Sequence, residues 1–104
     1  MEGQADANGG ARTATVLLSL RVENNSKFVR GKKRARENIE HYLLKEYTAK
    51  LRPSGQYELK VLHRTDEDLD KTMDELLRQI AFEADLHHCF SESDANLEGS
   101  HRSW

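Results

Sequence analysis

Six cationic side chains, Lys27, Arg30, Lys32, Lys33, Arg34 and Arg36, fall within ten residues with no acid between them. Phosphate contacts dominate the affinity of proteins for nucleic acids. Such a run is therefore a candidate surface for RNA, DNA or another polyanion. Gly31 lies inside it. A glycine near a helix start lets a phosphate approach backbone amides, although it costs the helix about 1 kcal/mol relative to alanine. The glycine spacing of a phosphate-binding loop is absent. The plainer expectation for the same residues is a solvated helix surface, partly neutralised by Glu37 and Glu40 one turn on.

Other groups offer weaker chemistry. His87, His88 and Cys89 are contiguous, with Asp94 and His101 further on. Successive side chains diverge by about 100° on a helix and 180° on a strand, so three in a row converge poorly on one ion. One conceivable metal site uses His88, Cys89 and a later carboxylate. The plainer expectation is two helix-ending histidines and a small buried thiol. Cys89 is also a candidate nucleophile, with His63 or His87 as base. Asp66, Glu67, Asp68 and Asp70 could hold magnesium, but capping of a helix accounts for the first three. No Ser-His-Asp set, dinucleotide-binding glycine turn or HExxH motif is present. No cofactor is expected, and an enzyme dependent on a thiol or metal ranks third among the readings.

The net charge of −2 hides a division. Residues 1–64 carry thirteen Lys/Arg against seven Asp/Glu, and residues 65–104 carry three against eleven. A second reading follows: a protein-interaction or homo-oligomer module in which basic and acidic faces pair, between copies or with an acidic partner surface. A version within one molecule has the two helices side by side with their charged edges attracting.

These residues need elements to position them. Residues 13–22 are nearly continuous in apolar and β-branched types, which predicts a central strand or one covered on both faces at its middle. Ser26 is the expected cap of a first helix. Its apolar stripe runs through Phe28, Ala35, Ile39, Tyr42, Leu43, Tyr47 and Leu51, with fraying expected at residues 46–50. Arg52, Pro53, Ser54 and Gly55 form a stop and turn. Residues 56–63 alternate, with Tyr57, Leu59, Val61 and His63 toward the core. Tyr57 is the nearest thing to a base-stacking ring, but its place in this alternation points to the core.

Thr65 to Asp68 match a capping box with Asp in the usual Glu position. The stripe Leu69, Met73, Leu76, Leu77, Ile80 and Ala84 carries a second helix to Leu86 or His88. Residues 89–97 alternate as an edge strand would.

The expected fold class is α+β, in the order β-α-β-α-β. Two helices cover a three-stranded sheet in two layers, a shortened ferredoxin-like plan resting on element order alone. One domain spans residues 13–98, between a disordered tail (1–12) and a loose C-terminus (99–104), where Trp104 is exposed or docked.

With 104 residues and 33% charged side chains, one modest core is feasible. No run approaches the roughly 18 apolar residues of a membrane span. A single cysteine excludes an internal disulfide, and the absence of an export signal makes a reducing cytoplasm the expected compartment. The leading expectation is a non-catalytic module that binds nucleic acid through residues 27–36.

Overall fold

A computed structural model describes residues 10–27 and 30–104. Its elements are β1 (Arg12–Asn24), α1 (Lys32–Tyr47), β2 (Lys50–Leu51), β3 (Tyr57–His63), α2 (Asp66–Leu86) and β4 (Cys89–Leu97). The sheet has four strands in the order β2-β3-β1-β4, each neighbouring pair antiparallel. The expected count of three is corrected to four. The order becomes β-α-β-β-α-β, the complete split β-α-β plan rather than a shortened one.

The missed strand is β2. It has two exposed residues, Lys50 opposite Glu58 and Leu51 opposite Tyr57. Two residues are too few to show a period of two. The Arg52–Gly55 turn joins β2 to β3 instead of ending the helix: Gly55, at φ +92°, donates its N–H to the Arg52 carbonyl at 2.9 Å. Helix α1 has already ended at Thr48, in the left-handed region at φ 51° with its N–H on the Leu44 carbonyl. The end of α1 thus falls where fraying was expected.

Strand β1 is central, between β3 and β4. Both helices lie on one face of the sheet: α1 packs on β1 and β3, α2 on β3 and β4, and the helices touch. Coverage is therefore one-sided. Val16, Leu18 and Val22 are buried beneath the helices while Leu17 is only half-buried on the far face. Ala35, Ile39 and Leu43 of α1 and Leu69, Met73, Leu76, Ile80 and Ala84 of α2 complete the core. Each large apolar side chain buried there contributes roughly 1.5–3 kcal/mol. In β3, Tyr57, Leu59, Val61 and His63 face the core as the alternation implied. Strand β4 forms a sheet edge.

The start of α1 departs from expectation. It begins at Lys32 with Gly31 as its N-cap, six residues after Ser26. Phe28, the expected head of its stripe, lies outside the described residues, as do residues 1–9 of the expected tail. Arg12, assigned to that tail, opens β1.

The C-terminus is docked, not loose. After Gly99, at φ +79°, the chain turns back along the outer edge of β4. Trp104 and Ala95 exchange N–H···O bonds at 2.9 and 3.4 Å, and the Leu97 N–H meets the Arg102 carbonyl at 2.9 Å. Arg102 and the Trp104 Nε1–H both donate to Asp70 of α2, at 2.6 and 2.8 Å. Part of the exposed edge of β4 is closed in this way. No helix among the described residues is long and apolar enough to cross a membrane.

Candidate functional site

The six cations of residues 27–36 do not act as one group. Lys27 stands in the turn after β1, and Arg30 precedes the helix with its guanidinium donating to the Lys27 carbonyl at 2.7 Å. Lys32, Lys33, Arg34 and Arg36 lie on α1. Lys32 reaches back to Glu23 of β1 at 3.1 Å. Its ammonium holds the Glu23 carboxyl below the usual carboxylate range, with Arg21 contributing less. Arg36 is half-buried against Tyr57 and Glu40: its Nη2 lies 3.3 Å from the Tyr57 hydroxyl and its Nε 3.7 Å from Glu40 Oε2. Tyr57 is a core residue whose hydroxyl donates to Glu40, so it presents no ring for stacking. Burial, and then that bond, raise the pKa of its phenol.

Arg30, Lys33 and Arg34 remain. All three are exposed, and with Glu37 they line one shallow depression. Neither Lys33 nor Arg34 makes an ion pair among the described residues. The electrostatics of this position are unusual. The first turn of α1 contains no acid, and Gly31 offers no side-chain cap. A helix N-terminus carries partial positive charge, which cations oppose by roughly 0.3–1 kcal/mol each. One amide is satisfied from elsewhere: the Lys32 N–H donates to Asn24 Oδ1 of β1 at 3.0 Å.

The role of Gly31 is corrected by packing. A Cβ built there would lie 2.2 Å from the His87 carbonyl oxygen and 2.9 Å from the His87 Cβ. The space is filled by the end of α2, not left for a phosphate. Glycine is needed because two helix ends meet backbone to backbone.

His87, His88 and Cys89 point apart. The Asn38 amide donates to His87 Nε2 at 3.0 Å, and His88 is exposed in the left-handed region at φ 57°. The Cys89 thiol is buried, 3.4 Å from the His87 carbonyl and 3.7 Å from Asn24 Oδ1. Burial raises its pKa, against a smaller opposing effect of Lys32. His63 cannot serve it as a base. The register sets Cys89 opposite Asn24 and His63 opposite Arg12, twelve residues along β1, or about 40 Å at the rise of a strand. Among the described residues no group of three His, Cys, Asp or Glu side chains could hold a metal ion.

Three of the four acids that could have held magnesium are likewise engaged. Thr65 Oγ1 accepts from the Asp68 N–H at 3.0 Å, and Asp68 Oδ2 accepts from the Arg64 N–H at 2.8 Å. Asp66 and Asp70 hold Arg102. No ion pair joins α1 to α2 among the described residues, so the expected attraction between their charged edges is not made.

The helix-free face of the sheet carries paired charges. Arg52 bridges Glu58 and Glu98, Lys60 meets Glu58, and Arg21 meets Glu92. Two adjoining grooves over β1 and β4 share Arg21 and Glu92, and the exposed Phe90 lines one of them. Sequence reasoning had not singled out this face. Its only signal was the polar half of the strand alternation. Comparison of the chain with protein-family models, with curated proteins and with solved structures finds no match.

Proposed function

We propose that this domain is a non-catalytic binding module that holds a polyanion, RNA or DNA, at the start of α1. The observation that carries this reading is the depression formed by Arg30, Lys33 and Arg34 at the positive end of a helix. Three cations at that end cost stability, and departures from local rules concentrate at functional sites. A phosphate seated there meets the side chains and the helix dipole together. Lys32 and Arg36 flank the contact from their own pairs, and Lys27 lies just before it. The cytoplasm suits the reading, since the one thiol is buried and free.

The test is the affinity for RNA and DNA across a salt series. Wild-type binding that weakens steeply with salt, and is lost in Lys33→Glu/Arg34→Glu, is expected. Unchanged affinity in that variant, or no binding at low salt, removes the reading.

One observation favours a second reading: the charged faces of α1 and α2 form no ion pair with each other among the described residues, although Arg21 and Arg52 pair with Glu92 and Glu98 of the acidic half. Each remains available to its opposite on another copy or on an acidic protein. Light scattering at two salt concentrations separates the two, because only self-pairing gives a dimer that dissociates on adding salt.

A further inference from the structure

We propose that the anion contact extends from the depression along the outer face of α1 as a straight track, and that its ligand is the phosphate backbone of a nucleic-acid duplex. The inference rests on the polyanion reading and specifies its ligand. Arg34, Asn38, His41 and Lys45 recur at spacings of four, three and four residues, and all are exposed. That spacing sets them in one line. At 1.5 Å per residue the line is about 16 Å long. Arg34, His41 and Lys45 make no ion pair among the described residues, and the Asn38 amide is held by His87.

The carboxylates of α1 lie to the sides. With about 100° per residue, Glu37, Glu40 and Glu46 are turned roughly 70° to 130° away from the line. Glu40 is drawn further off by Tyr57 and Arg36. Glu37 is the one acid among the described residues that lines the depression.

A single small anion would use only the depression. A rigid row of donors fits a ligand whose charges also recur along a line, as on a duplex strand with one phosphate per ~3.4 Å of axis. The one ring in the row is the His41 imidazole, and it holds no Phe, Tyr or Trp on which successive unpaired bases could stack. Tyr42 and Tyr47 are half-buried edge-to-face against each other, with centroids 5.9 Å apart. The exposed Phe82 and Phe90 belong to α2 and β4.

The test compares two double variants, His41→Ala/Lys45→Ala and Lys33→Glu/Arg34→Glu, with the wild type. Binding to a labelled 20-base-pair duplex and to a 20-nucleotide single strand, as probe lengths of about two helical turns, is followed by anisotropy across a salt series. His41 and Lys45 are exposed, so circular dichroism should be unchanged. The expected result is a preference for the duplex that weakens in both variants. The log–log salt slope should fall by about 1 or more in the His41/Lys45 variant. Wild-type affinity and slope in that variant, with loss in the Lys33/Arg34 variant, would overturn the track and leave the depression standing. No effect in either variant would overturn both readings, and tighter binding of the single strand would overturn the duplex.

Discussion

Helix α2 starts on Thr65, whose hydroxyl accepts the Asp68 N–H, with Asp66, Glu67 and Asp68 in its first turn. Helix α1 starts on Gly31, with no side-chain cap of its own and with Lys32, Lys33 and Arg34 where the acids would be. Both ends present the same partial positive charge and unpaired amides. At α2 neighbouring residues satisfy them. At α1 the amide acceptor comes from Asn24, eight residues back on β1, and the fit comes from His87 on the far end of α2. The difference teaches where stability is concentrated: α2 begins by local rules, while α1 begins only because the sheet and the other helix are in place.

The largest expected effect is at the junction that sets the start of α1. Gly31→Ala forces the new methyl against the His87 carbonyl, and chemical denaturation should show a loss of about 1–3 kcal/mol, the usual cost of overpacking. A neutral result would show that the two helix ends do not depend on close contact. Next come the caps. Thr65→Ala and Asn24→Ala should each cost about 1 kcal/mol by the same measurement. If only Thr65→Ala is destabilising, the comparison breaks, because α1 is then uncapped rather than capped from afar.

A smaller effect has the opposite sign. Lys33→Glu replaces an unfavourable charge with a favourable one and should stabilise the fold by about 0.3–1 kcal/mol at low ionic strength, with the gain shrinking as salt is added. Polyanion binding should fall in the same protein. Stability and binding that fall together would instead indicate a structural role for Lys33.

The smallest effect concerns the acids beyond the first turn of α2. Arg102, and then Trp104, hold the Asp70 carboxyl below its usual range. A depressed carboxylate contributes stability at pH above its unfolded value and loses it as pH falls through the folded value. Trp104 is the single tryptophan, so its emission should shift to the red as acidification frees the C-terminus. Asp70→Asn should show the released spectrum at neutral pH. An emission that ignores both changes would show that backbone pairing with β4 alone docks the end.

How much could be read in advance follows from the range of each interaction. The cap at Thr65, the stripe from Leu69 to Ala84 and the alternation in β3 each lie within a few residues of chain, so their patterns were plain, whereas the alternation of β4, with only a weakly apolar face, was ambiguous. Strand β2 was hidden because two residues hold no period, and it exists only by pairing with β3. Ser26 looked like a cap because nothing local argued otherwise, while Asn24 and His87 decide the matter through space. The docked C-terminus was invisible for the same reason: Asp70, which holds it, lies 32 and 34 residues away from Arg102 and Trp104.

The candidate site divides in the same manner. The order of residues already put six cations together in one stretch of chain and supplied two amphipathic helices for a small sheet. Folding chose among those cations, giving Lys32 to Glu23 and Arg36 to Tyr57 and Glu40, and leaving Arg30, Lys33 and Arg34 in one depression. A run of charge is a property of neighbours along the chain. Whether each charge is neutralised depends on groups within a few ångströms in space, and only the packed sheet and helices bring those groups near.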